Sequence, residues 1–191
     1  MPDCKEFNFN NKKIYVYDDA FSSQENFDIY AIISQLNFTR TNVDLSFNVN
    51  ETNKKWICNL GQHDMLYQFT LDKYSKTIDF IPWEQVSDVR QYVNYSTSDT
   101  ADLIHADCNT FQEGVYTILQ YANYNWDPNW HGETIFYDSN SVDAIFTSTV
   151  KPGRVLVFDS VLMHSATTPS KIAEFPRFTI ATKIIINKNE C

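Results

Sequence analysis

No apolar run in the 191 residues approaches the roughly 18 that a membrane span requires, so no spanning helix is expected. Residues Met1 to Asn8 show neither the basic stretch nor the apolar stretch of a secretory leader, and the sequence reads as that of an intracellular protein. Positive charge is in deficit: 15 Lys and Arg face 24 Asp and Glu, for a net charge of −9. That balance argues against a nucleic-acid partner, because phosphate contacts need Lys and Arg. Cysteine is sparse and scattered, at Cys4, Cys58, Cys108 and Cys191, with no Cys-x-x-Cys pair to make a zinc knuckle or a redox centre. There is no internal repeat, low-complexity tract or linker. The expectation is one domain over 1–191, with 1–88 supplying a supporting helix and strands and 89–186 a catalytic barrel core; a chain of this length buries a sufficient core without staples.

Ile14 to Tyr17 reads as a short strand. Ser22-Ser23-Gln24-Glu25 resembles a capping box, and apolar residues at Phe27, Tyr30, Ala31 and Ile32 or Ile33 then suit a helix near 23–36. Val43, Leu45, Phe47 and Val49 alternate with polar neighbours, as in a strand with one buried face. Trp56 to Leu60 suits another strand, Asp64 to Tyr74 a helix, and Pro82 closes that section. From residue 89 onward short strands dominate: Val89–Tyr95, Leu103–Asp107, Val115–Tyr121, Glu133–Tyr137, Ala144–Phe146, Arg154–Asp159 and Phe178–Ile186. Turn signals at Glu113-Gly114, Asp127-Pro128 and Lys151-Pro152-Gly153 separate them, which predicts a mainly β sandwich or barrel with helices packed outside it.

Only four histidines are present, His63, His105, His131 and His164. In His105-Ala106-Asp107 an imidazole and a carboxylate stand two apart, so on extended backbone they share one face and can converge on one ion. His164 follows Asp107 by 57 residues, just after the run Arg154-Val155-Leu156-Val157-Phe158-Asp159. Two His and one Asp on one side of an ion form the facial triad of non-haem Fe(II) oxygenases, which leaves positions open for substrates.

The run Lys151 to Ser160, then His164, then Arg177-Phe178-Thr179-Ile180-Ala181 resembles the closing half of the double-stranded β-helix (a jelly-roll, cupin-like barrel) of 2-oxoglutarate-dependent dioxygenases, especially prolyl-4-hydroxylase-like members. Upstream, Tyr121-Ala122-Asn123, Trp126-Asp127-Pro128-Asn129-Trp130 and His131-Gly132-Glu133-Thr134 are similar to that family's Tyr-x-Asn, Trp and Gly-Gly-Glu segments. The resemblance covers roughly 89–186. It implies that His105, Asp107 and His164 bind Fe(II), and that Arg177 grips the far carboxylate of 2-oxoglutarate, a task for which a guanidinium fork is suited. It further implies cosubstrate contacts from Tyr121, Tyr95 and Thr179, O2 as co-oxidant and ascorbate as a reductant. Lys171 and Lys183 are the other basic candidates for the Arg177 role.

One departure stands out. His131 occupies the first glycine position of Gly-Gly-Glu and creates a second His-x-Glu pattern with Glu133. Only 31 residues separate Glu133 from His164, too few for the strands between the two ligand sites of such a barrel. His131 is therefore expected at the site mouth, and with Trp126 and Trp130 it makes up the candidate contacts to a substrate. The implied activity is hydroxylation of an unactivated C–H bond, prolyl 4-hydroxylase-like on a protein or peptide, with succinate and CO2 as co-products. The alternatives are a 2-oxoglutarate oxygenase acting on a small molecule or nucleobase, and a cupin-like barrel that binds a metal or ligand without oxygen chemistry.

Overall fold

In a computed structural model, which describes residues 3–42, 54–100, 102–108 and 114–187, eleven strands and two helices form two facing sheets with helices on the outside. The strands are β1 (Cys4–Phe9), β2 (Lys12–Tyr17), β3 (Thr39–Asn42), β4 (Lys54–Leu60), β5 (Val86–Ser96), β6 (Val115–Tyr121), β7 (Thr134–Tyr137), β8 (Ala144–Ser148), β9 (Val155–Asp159), β10 (His164–Ala166) and β11 (Arg177–Ile186). The helices are α1 (Ser23–Ile33) and α2 (Met65–Thr77). The large sheet runs β1-β2-β9-β6-β11-β5-β4-β3 and the small one β10-β7-β8; every pairing is antiparallel. An antiparallel bridge between His105 and His164 continues the small sheet by one rung. The architecture is the double-stranded β-helix expected from the sequence.

The large sheet is buried on both faces at its centre, which is why β9 reads Val-Leu-Val-Phe rather than alternating with polar residues. Val155 and Val157 turn to the helix side and join Ile29, Ile33, Tyr74, Ile118, Ile180 and Ile184. Leu156 and Phe158 turn inward and join Ile14, Leu119, Tyr121 and Phe136 between the sheets. The segment before residue 89 does more than support the barrel. Strand β2 pairs with β9 at one side of the sheet, and β4 pairs with β5 at the other.

Helix α1 starts at the expected capping box: Ser22 Oγ accepts from the Glu25 amide at 3.2 Å and Glu25 Oε2 accepts from the Ser22 amide at 2.7 Å. Its buried face is Asn26, Ile29 and Ile33, one step round from the face read off the sequence, and Phe27 and Ile32 are exposed. Asn26 goes inward because its amide donates to the Phe21 carbonyl, and it packs where Gly153 leaves no side chain. The expected strand over Leu103–Asp107 is absent apart from the bridge at His105, since Leu103 and Ile104 face solvent. The alternating segment Val43–Val49 lies outside the described residues. No described helix is long and apolar enough to cross a membrane.

Candidate metal and cosubstrate site

His105, Asp107 and His164 offer ligand atoms that all lie within 4.8 Å of one another, and no other such cluster of three His, Cys, Asp or Glu exists among the described residues. The bridge between residues 105 and 164 sets the two imidazoles side by side, with ring centroids 4.5 Å apart. Backbone bonds from the Asp107 and Cys108 amides to the Ser160 carbonyl, each 2.9 Å, swing Asp107 onto the same side. Each histidine is oriented in the same way: Nδ1 lies 2.8 Å from the Leu103 carbonyl in His105 and 2.9 Å from the Leu162 carbonyl in His164. A carbonyl only accepts, so Nδ1 carries the proton and Nε2 keeps its lone pair. Both Nε2 atoms point at the Asp107 carboxylate, at 4.0 Å from Oδ1 for His105 and 3.8 Å from Oδ2 for His164.

Electrostatics prepare these groups as ligands. Burial, the neighbouring His164 and Lys55 push the His105 imidazole down to about 4, so it is neutral near pH 7. Burial opposes ionisation of Asp107, but His164, the Lys183 ammonium and His105 outweigh it and hold the carboxyl well below the usual range. Asp107 is steered from both sides, by Thr117 Oγ1 donating to Oδ2 at 2.8 Å and Lys183 Nζ donating to Oδ1 at 2.8 Å. Two imidazoles and one ionised carboxylate, preset by backbone carbonyls and a hydroxyl, are a donor set that fits a divalent first-row ion such as Fe(II).

The triad opens onto a cavity of about 300 Å³ whose far side carries Arg177. Arg177 is 3 % exposed. One terminal nitrogen donates to Thr134 Oγ1 at 3.0 Å, the guanidinium lies 5.4 Å from the Tyr121 ring, and Nε has no partner. No carboxylate among the described residues pairs with it, and burial lowers its pKa. A buried cation of this kind is costly unless an anion completes it, so the cradle fits one carboxylate of a dicarboxylic acid. Asn123 fixes the backbone on either side of it: its Nδ2 donates to the Pro176 carbonyl at 2.9 Å and its Oδ1 accepts from the Phe178 amide at 2.8 Å. Gly132 completes the packing, because a Cβ there would stand 3.0 Å from Arg177 Cδ.

The other expected residues divide. Thr179 lines the cavity and its hydroxyl accepts from Asn94 Nδ2 at 3.2 Å, while Asn94 Oδ1 is buried without a partner. Tyr121 lies behind Arg177 rather than in the cavity lining; its hydroxyl is 3.0 Å from both Thr134 Oγ1 and the Ser148 carbonyl. Tyr95, the other expected cosubstrate contact, is among the residues lining the cavity, while its ring packs against Phe38 at 5.4 Å and edge-on to Phe178 at 5.6 Å. Trp126 and Trp130 are each 7 % exposed and meet edge to face at 5.4 Å, so they pin their loop to the barrel and do not line the cavity. His131 is exposed with Nδ1 3.5 Å from Glu133 Oε1, and Thr167 Oγ1 donates to Glu133 at 2.7 Å, so the second His-x-Glu pattern is a loop contact and not part of the three-ligand cluster. Lys183 does not replace Arg177; it sits at the Asp107 end of the cavity. Thr117, Asn94 and Thr134 were not singled out in the sequence, although Thr117 shares the two-residue period of Leu119 and Tyr121.

No protein-family model matches the sequence, and no curated protein matches it. Solved structures do match in fold. A Pseudomonas putida prolyl-4-hydroxylase aligns with a TM-score of 0.62 at 14 % identity over 90 % of this chain and 92 % of its own. A Trichoplax adhaerens prolyl hydroxylase, solved with a hypoxia-inducible-factor peptide fragment, gives 0.64 at 16 % identity over 91 % of this chain and 83 % of its own. HygX from Streptomyces hygroscopicus, solved with nickel and 2-oxoglutarate, gives 0.63 at 13 % identity over 91 % of this chain and 83 % of its own. The chain therefore has the fold of the 2-oxoglutarate and Fe(II) oxygenases, of the prolyl hydroxylase-like kind.

Proposed function

We propose that the protein is an Fe(II)- and 2-oxoglutarate-dependent dioxygenase in which His105, Asp107 and His164 hold the metal and Arg177, with Thr179 beside it, receives the far carboxylate of 2-oxoglutarate. The observation that carries this reading is the pairing, across one cavity, of a facial donor set with a buried guanidinium that no carboxylate among the described residues completes. A metal-binding barrel without oxygen chemistry has no use for such a cation. The overall change would be C–H plus O2 plus 2-oxoglutarate giving C–OH, succinate and CO2. The ion would supply oxygen activation, a step no side chain can perform. The chain's own residues bind, orient and exclude water. The carbonyls of Leu103 and Leu162 fix the tautomers of the histidines, Thr117 and Lys183 fix the carboxylate, and Asn123, Thr134 and Gly132 fix Arg177. The substrate is proposed to be a prolyl residue of a protein or peptide, in keeping with the prolyl hydroxylases of the same fold; HygX, solved with hygromycin B in a second structure, exemplifies a neighbour with a small molecule in place of a peptide.

The test is anaerobic addition of Fe(II) and 2-oxoglutarate to the purified protein, watched for the weak visible charge-transfer absorption of chelated cosubstrate. The band is expected in the wild type, lost in His164→Ala, and shifted to at least tenfold higher 2-oxoglutarate concentration in Arg177→Met. Iron binding without a band would favour the binding-barrel reading, and no metal binding by folded protein would overturn the triad.

A further inference from the structure

The cavity is positively charged in a chain that is not. Four cations line it, Lys55, Arg90, Arg177 and Lys183, against two carboxylates, Asp102 and Asp107. A divalent ion and a doubly charged 2-oxoglutarate would cancel each other, so the excess of two positive charges survives loading, while the whole chain carries −9. Low-dielectric walls focus such an excess on whatever enters next.

The positions of these cations show which of them are committed. Lys55 is in ion-pair contact with Asp102, whose other oxygen accepts from the Ala166 amide at 2.9 Å. Arg177 is the buried cosubstrate anchor. Lys183 rests on Asp107, a carboxylate it would have to share with the metal. Arg90 has no carboxylate partner among the described residues, and its guanidinium lies 5.4 Å from the Tyr92 ring on the cavity wall. Arg90 and Lys183 are direct register partners on β5 and β11. Like charges directly opposite on neighbouring strands repel, and one shared carboxylate cannot balance both. An oxyanion between them would.

We infer that the prime substrate carries an anionic group, a carboxylate or a phosphoryl group, which Arg90 and Lys183 receive at the mouth of the cavity beside the metal triad. This rests on the oxygenase reading and narrows its substrate class to acids: an acidic residue close to the hydroxylated one, or a free acid.

The test uses Mn(II) in place of iron, so that nothing turns over, with 2-oxoglutarate saturating so that Arg177 is occupied. Titration calorimetry then compares benzoate with its neutral isostere benzamide, and adds inorganic phosphate as a second oxyanion. At least one oxyanion is expected to bind tenfold or more tighter than benzamide, and Arg90→Gln to weaken it at least tenfold. Lys76→Gln, which removes the same charge from the exposed side of α2, controls for net charge and should bind as wild type. Arg90 is exposed, so its replacement leaves the core intact. Benzoate binding without phosphate identifies a carboxylate, and the reverse a phosphoryl group. Equal binding of benzoate and benzamide with no phosphate binding, or wild-type anion affinity in Arg90→Gln, would overturn the inference. If Mn(II) and 2-oxoglutarate themselves fail to bind, the oxygenase reading falls instead, and the same Arg90 comparison on the metal-free protein still decides the anion site.

Discussion

At the scale of single residues, the site is held by positions where one atom more or less matters. His131 adopts φ 58° and ψ −146°, a region that side-chain-bearing residues avoid at a cost of about 1–3 kcal/mol. Glycine occupies this place in the family segment that the sequence resembles, and glycine alone enters that region freely. His131→Gly is therefore expected to raise stability by about 1 kcal/mol, strain relief outweighing the added freedom of the unfolded chain. The neighbouring Gly132→Ala should do the opposite, since φ is +89° and the new Cβ meets Arg177 Cδ at 3.0 Å. Urea midpoints of the two variants check this, and a His131→Gly protein less stable than wild type would show that the His131–Glu133 contact outweighs the strain. His105, Asp107, His164 and Arg177 could be singled out in the sequence only through the family segments that they sit in, since His-x-Asp by itself is a weak signal, and the fold gathers all four round one cavity. Lys183 at Asp107 was not legible, because its position depends on β11 lying between β5 and β6, a fact of topology. Trp126 and Trp130 stayed undecided for a related reason: sequence cannot tell an aromatic pair that clamps a ligand from one that clamps its own loop.

At the scale of elements, the strands buried on both faces were the easiest to read. β9 opens with a continuous apolar run, β6 and β11 are largely apolar runs interrupted by Thr117 and Gln120 and by Thr179, Thr182 and Lys183, and the capping box located the start of α1, whose end at Ile33 falls short of the expected 36. β1 and β3 went unread because each is short and largely polar, and β10 because three residues carry no period. The turn after β2 and the start of β9 are joined by Arg154, which donates to Asp18 through Nε at 2.7 Å and a terminal nitrogen at 3.3 Å. Burial alone would raise the Asp18 pKa, but the hydrogen bond and charge of Arg154, with Lys151 and Lys5, hold it below the ordinary value. A depressed carboxyl stabilises the fold above its unfolded pKa of about 3.9, and that stabilisation fades as pH falls through the lower folded value. Asp18→Asn should therefore lose about 1–2 kcal/mol at pH 7. The gap from wild type should narrow steadily below about pH 4. Denaturant midpoints measured from pH 7 to pH 3 check the sign; a gap that widens in acid would mean that Asp18 is not the ionised partner.

At the scale of the whole molecule, the site is built where two sheets meet. His105 bridges to β10 of the small sheet, Asp107 is hydrogen-bonded by Thr117 of the large one, and Arg177 begins the central strand of the large sheet while touching Thr134 of the small one. The charges gathered there oppose folding until they are completed: a carboxylate and a guanidinium are both buried, and Nε of the latter is unpartnered. A ligand that binds only when the sheets are in register must stabilise their docking by mass action, by about 2.7 kcal/mol at a hundredfold excess over its dissociation constant. In a chain of this size, 1 kcal/mol moves the melting temperature by roughly 2–4 °C. Mn(II) with 2-oxoglutarate at such an excess is therefore expected to raise Tm by about 5–11 °C. 2-Oxoglutarate added alone should do much less, because Arg177 holds only one of its ends. His164→Ala should lose the metal-dependent part of the rise, and Arg177→Met the cosubstrate-dependent part. If the two variants instead lose the same part, metal and cosubstrate do not occupy opposite ends of one cavity, and the division of labour between triad and guanidinium would have to be abandoned.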